Sequence, residues 1–114
     1  FCYITDAVEG TVLAMNTDKT NQEIYHIGTE EEITIEYLIK EAGKYFGFQG
    51  SYEPAPTFPG STMRRCPDIS KAMKDFNYSP KIHWKDGLIK TLSWYKEFFN
   101  SGKDTFESSF EKPE

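Results

Sequence analysis

The sequence of 114 residues contains few of the side chains that build disulfide frameworks or metal centres. It has two cysteines, Cys2 and Cys66, which are too few and too far apart for a disulfide scaffold or a zinc site, so reduced thiols are expected. The two histidines, His26 and His83, have no cysteine or carboxylate at metal-ligand spacing. The sequence therefore predicts no metal site, and it favours packed or solvated roles for both histidines.

Positive charge and long apolar runs are also scarce. The chain carries 13 Lys and Arg against 18 Asp and Glu, a formal net charge of −5, and it shows no basic stripe that would follow nucleic-acid phosphates. It shows neither a signal peptide nor an apolar run long enough to cross a membrane. These absences argue against nucleic-acid and membrane partners and favour a cytoplasmic location. Because the chain opens at Phe1 without an initiator Met, we expect further residues upstream.

What the sequence does contain is a series of short periodic segments, which predict one domain of helices and short strands over residues 1–100. The predicted extended segments are Phe1–Ile4, Glu23–Ile27 and Gly50–Thr62, the last rich in proline. The predicted helices are Asp6–Met15, a helix from the N-cap Thr34 to Phe46, a helix that follows the N-cap Asp68, and Trp84–Phe99. Residues 101–114 are predicted to be a polar, acidic tail.

Each predicted helix has an apolar face. The first has Val8, Val12 and Met15, the second Ile35, Leu38, Ile39, Ala42 and Tyr45, the third Ile69, Ala72, Met73 and Phe76, and the last Trp84, Leu88, Leu92, Tyr95 and Phe99. Asp6 with Glu9 is predicted to form a variant capping box, and Gly47 to end the second helix. Glu30-Glu31-Glu32 precede the second helix, where negative charge complements the helix dipole.

Two adjacent arginines, Arg64 and Arg65, stand just before the third helix. A guanidinium is permanently charged and directs two donors at an oxyanion, so the pair is suited to a phosphate or carboxylate ligand. The alternative is a solvated pair that binds nothing. On an extended segment neighbouring side chains point to opposite faces, so both arginines are not expected to reach one ligand directly.

Four blocks of the sequence together resemble a known family. They are Phe1-Cys2-Tyr3-Ile4-Thr5-Asp6-Ala7-Val8-Glu9-Gly10, Ile24-Tyr25-His26-Ile27-Gly28, Arg64-Arg65-Cys66-Pro67-Asp68-Ile69-Ser70-Lys71-Ala72, and Gly87-Leu88 near the start of the last helix. In order and spacing they resemble the C-terminal part of the extended short-chain dehydrogenase/reductases, the NAD-dependent nucleotide-sugar epimerases, dehydratases and decarboxylases. The third block is most similar to the UDP-glucuronate decarboxylase and dTDP-glucose dehydratase branches.

This resemblance implies an α/β fold, the C-terminal lobe of such an enzyme without its N-terminal Rossmann domain. It implies that the chain contacts the diphosphate and sugar of a nucleotide sugar, with Arg64, Arg65 and Tyr3 as candidate substrate-binding residues. NAD would be bound by the missing domain and not by these residues. The resemblance is also compatible with a homodimer of the intact enzyme.

The catalytic groups of the family are absent from this sequence. Relatives use a Tyr-x-x-x-Lys pair to accept a proton from a sugar hydroxyl, and none of the seven tyrosines here is followed by lysine at that spacing. Gly43, Gly47 and Gly50 have the wrong spacing for a dinucleotide-binding loop. The chain by itself is therefore expected to be catalytically inactive. The alternative hypothesis is a non-enzymatic protein-interaction module that docks through an exposed apolar surface.

Overall fold

A computed structural model describes residues 1–101 of the chain, so nearly all of the predicted tail, residues 102–114, lies outside the described residues. The described part contains four α-helices, α1 (Ile4–Met15), α2 (Ile35–Phe46), α3 (Ser70–Phe76) and α4 (Trp84–Asn100), and one short 3₁₀ turn (Asp18–Thr20). Helix α1 packs against α3, with the 3₁₀ turn in contact with both, and α2 packs against α4. The chain thus forms two helix pairs joined by long irregular segments.

The predicted strands are not confirmed, since residues 1–101 contain no strand. Phe1–Ile4 was assigned wrongly, because Ile4 is the first residue of α1 and the Tyr3 carbonyl accepts the N–H groups of Asp6 and Ala7. Alternation of side chains reports which faces are buried, whereas a strand also needs a neighbouring strand to pair its backbone groups. In the second segment the alternation is still visible, because Tyr25 and Ile27 pack against the core while Ile24 is exposed.

Helix α2 confirms the residues that the sequence predicts at its two ends, Thr34 and Gly47. The Thr34 hydroxyl accepts the N–H of Tyr37 at 3.1 Å, and Gly47 adopts the left-handed conformation with φ 69°. Glycine takes this conformation without a steric penalty, which explains why the helix ends there. Asp68 acts one residue earlier than a true N-cap, since its Oδ1 accepts the N–H of Ser70 while Ile69 occupies the cap position of α3.

The start of α1 differs from the predicted capping box. The helix begins two residues before Asp6, and the Asp6 side chain is only 3% exposed. Its carboxylate accepts the backbone N–H of Ile82 at 2.9 Å, just before α4. Burying a carboxylate is costly unless it receives hydrogen bonds, so this contact defines how the first helix meets the last. Asp6 is therefore a tertiary link and not a cap.

The core lies between α1 and α3. It consists of Ile69, Ala72, Phe76 and Tyr78, with Leu13, Ala14, Tyr25 and Ile27 packed around them. Tyr78 is 1% exposed, and its hydroxyl donates to the carbonyl of Gly28 at 2.9 Å. Its ring lies so close to α1 that a Cβ added at Gly10 would be 2.8 Å from Tyr78 Cε2. Glycine at position 10 thus permits the close approach of helix and ring.

The predicted apolar faces are only partly buried. In α3 three of the four expected residues are buried, and Met73 is exposed. In α1 the expected face was wrong, because Val8, Val12 and Met15 are exposed and the buried positions are Asp6 and Gly10. In α2 and α4 Leu38, Ala42, Leu88 and Leu92 are half-buried and Trp84 is buried, whereas Ile35, Ile39, Tyr95 and Phe99 are exposed. The helical period was predicted correctly; the covered stripe was wrong for α1 and right only in part for the other three helices.

Candidate anion-binding site

The two predicted arginines lie on a segment that runs beside the residues preceding α2. Gly28 faces Pro67, since a Cβ added at Gly28 would lie 2.9 Å from the proline Cγ. Further along, the Cys66 thiol donates to the carbonyl of Glu30 at 3.5 Å, and Arg64 binds Glu32. A step of two residues forward on one segment corresponds to a step of two residues back on the other, as in antiparallel neighbours. The two segments therefore lie side by side in opposite directions.

Arg64 is held by a two-pronged ion pair. Its Nε donates to Oε1 of Glu32 at 2.7 Å and its Nη2 donates to Oε2 at 2.8 Å, the bidentate geometry that fixes a guanidinium against a carboxylate. The hydrogen bond from Arg64 lowers the pKa of Glu32, and the same bond raises the pKa of Arg64. The Arg64 side chain is nevertheless 74% exposed. The pair is thus a surface contact and leaves the neighbouring surface open.

Arg65 takes a different partner. Its Nε donates to Oγ1 of Thr62 at 2.9 Å, within its own segment, and the residue is exposed. Within residues 1–101 no carboxylate lies within ion-pair distance of Arg65, so both of its terminal amino groups remain available to a ligand. The two arginines of the sequence thus stand next to one another and point to different partners.

Tyr3 lies elsewhere, against α4. Its ring packs on Gly87, where an added Cβ would lie 3.0 Å from Tyr3 Cδ2, and the ammonium of Lys90 lies 5.4 Å from the ring centroid. No hydrogen bond or ion pair in the described part of the chain joins Tyr3 to either arginine. Its observed role is packing at the α1–α4 junction, and substrate contact by Tyr3 stays a prediction.

The acidic run before α2 has more partners than the sequence suggested. Oε1 of Glu31 lies 2.8 Å from Nε2 of His83, and Nδ1 of His83 accepts the N–H of Lys85, so His83 caps α4. Together with the Glu32–Arg64 pair, these contacts join the run to two distant parts of the chain. Spacing along the sequence could not have revealed them, because the partners are more than 30 residues apart.

Among residues 1–101, the glycines considered for a dinucleotide-binding loop lie at the wrong end of a helix. Gly43 lies within α2 and Gly47 at its C-terminal end, where the exposed backbone groups are carbonyls that would repel a pyrophosphate.

Tyr25 lies near a lysine, as a catalytic tyrosine would, with Lys71 Nζ 4.4 Å from its ring centroid. Its hydroxyl, however, donates to Asp75, and this bond raises the pKa of Tyr25 to about 12. A proton acceptor near neutral pH needs the opposite shift.

Two further observations concern metal binding and membrane insertion. Between residues 1 and 101 no three His, Cys, Asp or Glu side chains converge as a metal ion would require. None of the helices described is both long enough and apolar enough to pass through a membrane.

No protein-family model matches the chain, but individual relatives do. The chain is 30% identical over 106 residues to a UDP-N-acetyl-alpha-D-glucosaminuronate decarboxylase from Bacillus cytotoxicus. The matched region covers 88% of the chain and 33% of that relative. It is 32% identical over 111 residues to the human dTDP-D-glucose 4,6-dehydratase, covering 91% of the chain and 31% of the human protein.

A solved structure agrees with these relatives. The fold matches the UDP-glucuronic acid 4-epimerase from Bacillus cereus in complex with UDP-glucuronic acid and NAD, with a TM-score of 0.77 and 32% sequence identity. The match covers 86% of the chain and 32% of the epimerase. The chain thus spans about a third of the length of the proteins that it matches.

Proposed function

Because the chain belongs to the extended short-chain dehydrogenase/reductases of the nucleotide-sugar epimerase and dehydratase family, we propose that it is their nucleotide-sugar-binding portion. In this proposal the chain contacts the diphosphate and sugar, and it acts with an N-terminal Rossmann domain that holds NAD and the proton-transferring groups. The observation that carries the proposal is the agreement in sequence and fold over almost all of the chain with enzymes whose names specify nucleotide sugars.

The segment that carries Arg64 and Arg65 supplies positively charged hydrogen-bond donors for the diphosphate. The chain as a whole is acidic, with a net charge of −5, and a doubly charged anion would be repelled from most of its surface. Arg64 and Arg65 are the only arginines of the sequence, and both are exposed on one segment. Guanidinium donors bind phosphate oxygens with fixed geometry, which makes this segment the best anion site among the described residues.

The same proposal covers the properties that the chain cannot supply alone. Without a Tyr-x-x-x-Lys pair or a dinucleotide-binding loop the chain has no catalytic activity of its own, and the intact protein is the enzyme. In this proposal the intact protein uses NAD, is located in the cytoplasm and forms a homodimer.

Calorimetric titration of UDP, dTDP and the corresponding nucleosides into the full-length protein tests this proposal. We expect a diphosphate to bind more tightly than its nucleoside, and the double variant Arg64→Gln/Arg65→Gln to lose about 10- to 100-fold in diphosphate affinity, as charged hydrogen bonds of this kind contribute. The variant Lys40→Gln/Lys74→Gln removes the same charge from exposed helix positions and should bind normally. Equal losses in both double variants would refute a specific diphosphate site.

The exposed apolar face of α1 favours a second candidate, a protein-interaction module. Ile4, Val8 and Val12 line an open groove of about 420 Å³ together with Leu13. Exposed apolar patches of this kind mark contacts with other protein surfaces. In an epimerase-like enzyme this face is available to the missing domain, whereas in a module it would serve a separate partner. A gene that encodes no glycine-rich loop and no Tyr-x-x-x-Lys pair upstream of Phe1 would favour the module.

A further inference from the structure

A cleft between α2 and α4 shares no residue with the candidate anion-binding site and takes no part in the proposed function. Its volume is about 280 Å³. Leu88, Ile89 and Leu92 of α4 form its floor, and Tyr45 of α2 lies beside them. The floor is accessible, since Ile89 is 51% exposed and no residue of α2 is buried. Covering apolar surface of this kind removes it from water, which stabilises the covered state.

The rim of this α2–α4 cleft is positively charged, although the chain as a whole is acidic. Nζ of Lys44 and Nζ of Lys85 lie 2.5 and 3.4 Å from the two carboxylate oxygens of Glu41. Nζ of Lys96 lies 6.0 Å from the ring centroid of Tyr45. Among the described residues that line the cleft, Glu41 is the only acidic one. Three ammonium groups thus stand around one carboxylate, and the excess positive charge favours a second acidic partner.

The sequence that follows α4 has the chemistry that this cleft would bind. Residues 102–114, the C-terminal segment, lie outside the described residues, so the comparison concerns their sequence alone. They include four acidic and two basic side chains, hence a net charge of −2. Their only large apolar side chains are Phe106 and Phe110, and each is followed directly by a glutamate. An aromatic side chain next to a carboxylate complements an apolar floor next to ammonium groups.

The length of the C-terminal segment also matches the position of the cleft. A helix rises 1.5 Å per residue, so Leu92 and Leu88 lie about 14 and 20 Å from Ser101 along α4. An extended chain spans about 3.3 Å per residue, so Phe106 and Phe110 can reach about 17 and 30 Å from Ser101. A segment that turns back along α4 can therefore place its two aromatic side chains over the cleft floor.

We propose that the C-terminal segment docks in the α2–α4 cleft of its own chain, with Phe106 and Phe110 on the apolar floor and its acidic side chains beside Lys44 and Lys85. Because the segment is joined covalently to the end of α4, its effective concentration at the cleft is high, and modest contacts are enough to hold it. Docking covers the more exposed of the two helix pairs. This inference does not depend on the proposed function.

Methyl NMR spectra of the full-length protein test whether the segment lies in the cleft. Ending the chain after Ser101 should shift the methyl signals of Leu88, Ile89 and Leu92, since these side chains lose contact with two aromatic rings. The methyl signals of Val8, on the exposed face of α1, should stay unchanged and serve as the control surface. Identical cleft signals in the complete and the shortened protein would overturn the inference.

Variants within the segment separate a specific contact from a general effect of its removal. Phe106→Ala/Phe110→Ala should reproduce the shifts seen when the segment is removed, because these two rings are the proposed anchors. Thr105→Ala/Ser108→Ala changes polar residues of the same segment and should leave the cleft signals as they are. A double phenylalanine variant with the spectrum of the wild type would refute docking through these rings.

The charge of the rim is tested with a synthetic peptide of residues 102–114. Calorimetric titration into the full-length protein ended after Ser101 should show saturable binding, weakened about two- to fivefold by Lys44→Gln, as a surface ion pair contributes. Lys40→Gln removes the same charge one turn earlier on α2, outside the cleft lining, and should not change the affinity. Equal losses in the two variants, or no saturable binding, would contradict the proposed contact.

Mixing the complete and the shortened protein distinguishes docking within one chain from exchange between chains. The cleft signals of the shortened protein should not change when the complete protein is added, since each segment occupies its own cleft. A change on mixing would assign the cleft to the segment of a second copy and would refute docking within the chain. Either refutation leaves the proposed function standing, because the cleft and the arginine segment share no residue.

Discussion

The two helix pairs of this chain are stabilised in different ways. Between α1 and α3 a true core forms, in which Phe76 and Tyr78 are buried and Tyr25 meets Phe76 edge to face, with 5.1 Å between ring centroids. Between α2 and α4 the contacts are more exposed: the hydroxyls of Tyr45 and Ser93 lie 2.8 Å apart, and Tyr37 forms a T-shaped pair with the buried Trp84. Large apolar side chains on the outer faces of α2 and α4 remain in water.

The difference shows that helical amphipathicity alone does not produce a core. Both pairs contain helices with an apolar stripe, but only the first adds a buried aromatic residue from outside a helix, Tyr78, that fills the space between them. Because side chains around such a residue are closely packed, changes in its volume are costly. The first pair is therefore expected to be sensitive to small changes in volume, and the second to depend mainly on local helix signals.

The largest effect should come from emptying the first pair. We expect Phe76→Ala to lower the free energy of unfolding by about 3–5 kcal/mol, because it removes a buried ring and leaves a cavity. Phe99→Ala, the same change on the exposed face of α4, should alter it by less than about 0.5 kcal/mol. Urea unfolding followed by fluorescence measures both. Comparable losses at the two positions would mean that the second pair is covered as fully as the first.

Adding volume to the same core should be the next most damaging change. A Cβ at Gly10 would lie 2.7 Å from Ile27 Cγ2 and 2.8 Å from Tyr78 Cε2, so the packed ring would have to move. We expect Gly10→Ala to cost about 1–3 kcal/mol even though alanine favours the helix itself. Thr11→Ala, at the next and exposed position of α1, is the matched control. A more stable Gly10→Ala variant would show that α1 and Tyr78 are not in tight contact.

Alkaline pH should loosen the first pair selectively. Burial raises the pKa of the Tyr78 hydroxyl above its usual value of about 10, so between that value and the folded-state pKa only the unfolded chain loses the proton. The stabilisation that the protonated Tyr78 hydroxyl provides is complete below pH 10. Above that pH it decreases by about 1.4 kcal/mol for each pH unit. Urea unfolding at several pH values above 9 measures this slope. Tyr78→Phe should reduce this slope and leave the part that comes from Tyr25, whose pKa is also raised. Tyr95→Phe, on the exposed face of α4, is the matched control and should leave the slope unchanged.

The smallest of these effects concerns a helix end in the second pair. Thr34→Ala removes the hydroxyl that accepts the N–H of Tyr37, and we expect it to cost about 1 kcal/mol. Thr34→Ser keeps the acceptor and should restore nearly all of that loss. Circular dichroism during thermal unfolding would detect the change. A loss as large as that of Phe76→Ala would contradict the view that α2 depends on local signals rather than on a packed core.

The candidate anion-binding site illustrates how far the sequence alone could lead. Residue type and the family resemblance proposed Arg64 and Arg65, and the alternation of an extended segment predicted that their side chains would diverge. It gave no indication of Glu32 as the partner of Arg64, because a contact between residues 32 positions apart leaves no local pattern. From the sequence the acidic run is expected only to complement the dipole of α2, an interpretation that depends on residues next to that helix.

The sequence by itself determined where the helices of this protein lie and where α2 begins and ends. These features depend on contacts within one turn, such as the Thr34 hydroxyl with Tyr37 and the left-handed backbone of Gly47. Only the tertiary structure decided which apolar stripe of α1 is covered, that Asp6 is buried against Ile82, and that Glu32 holds Arg64. Each of these depends on the distance between residues remote in sequence, and such distances are fixed by the packing of the whole chain.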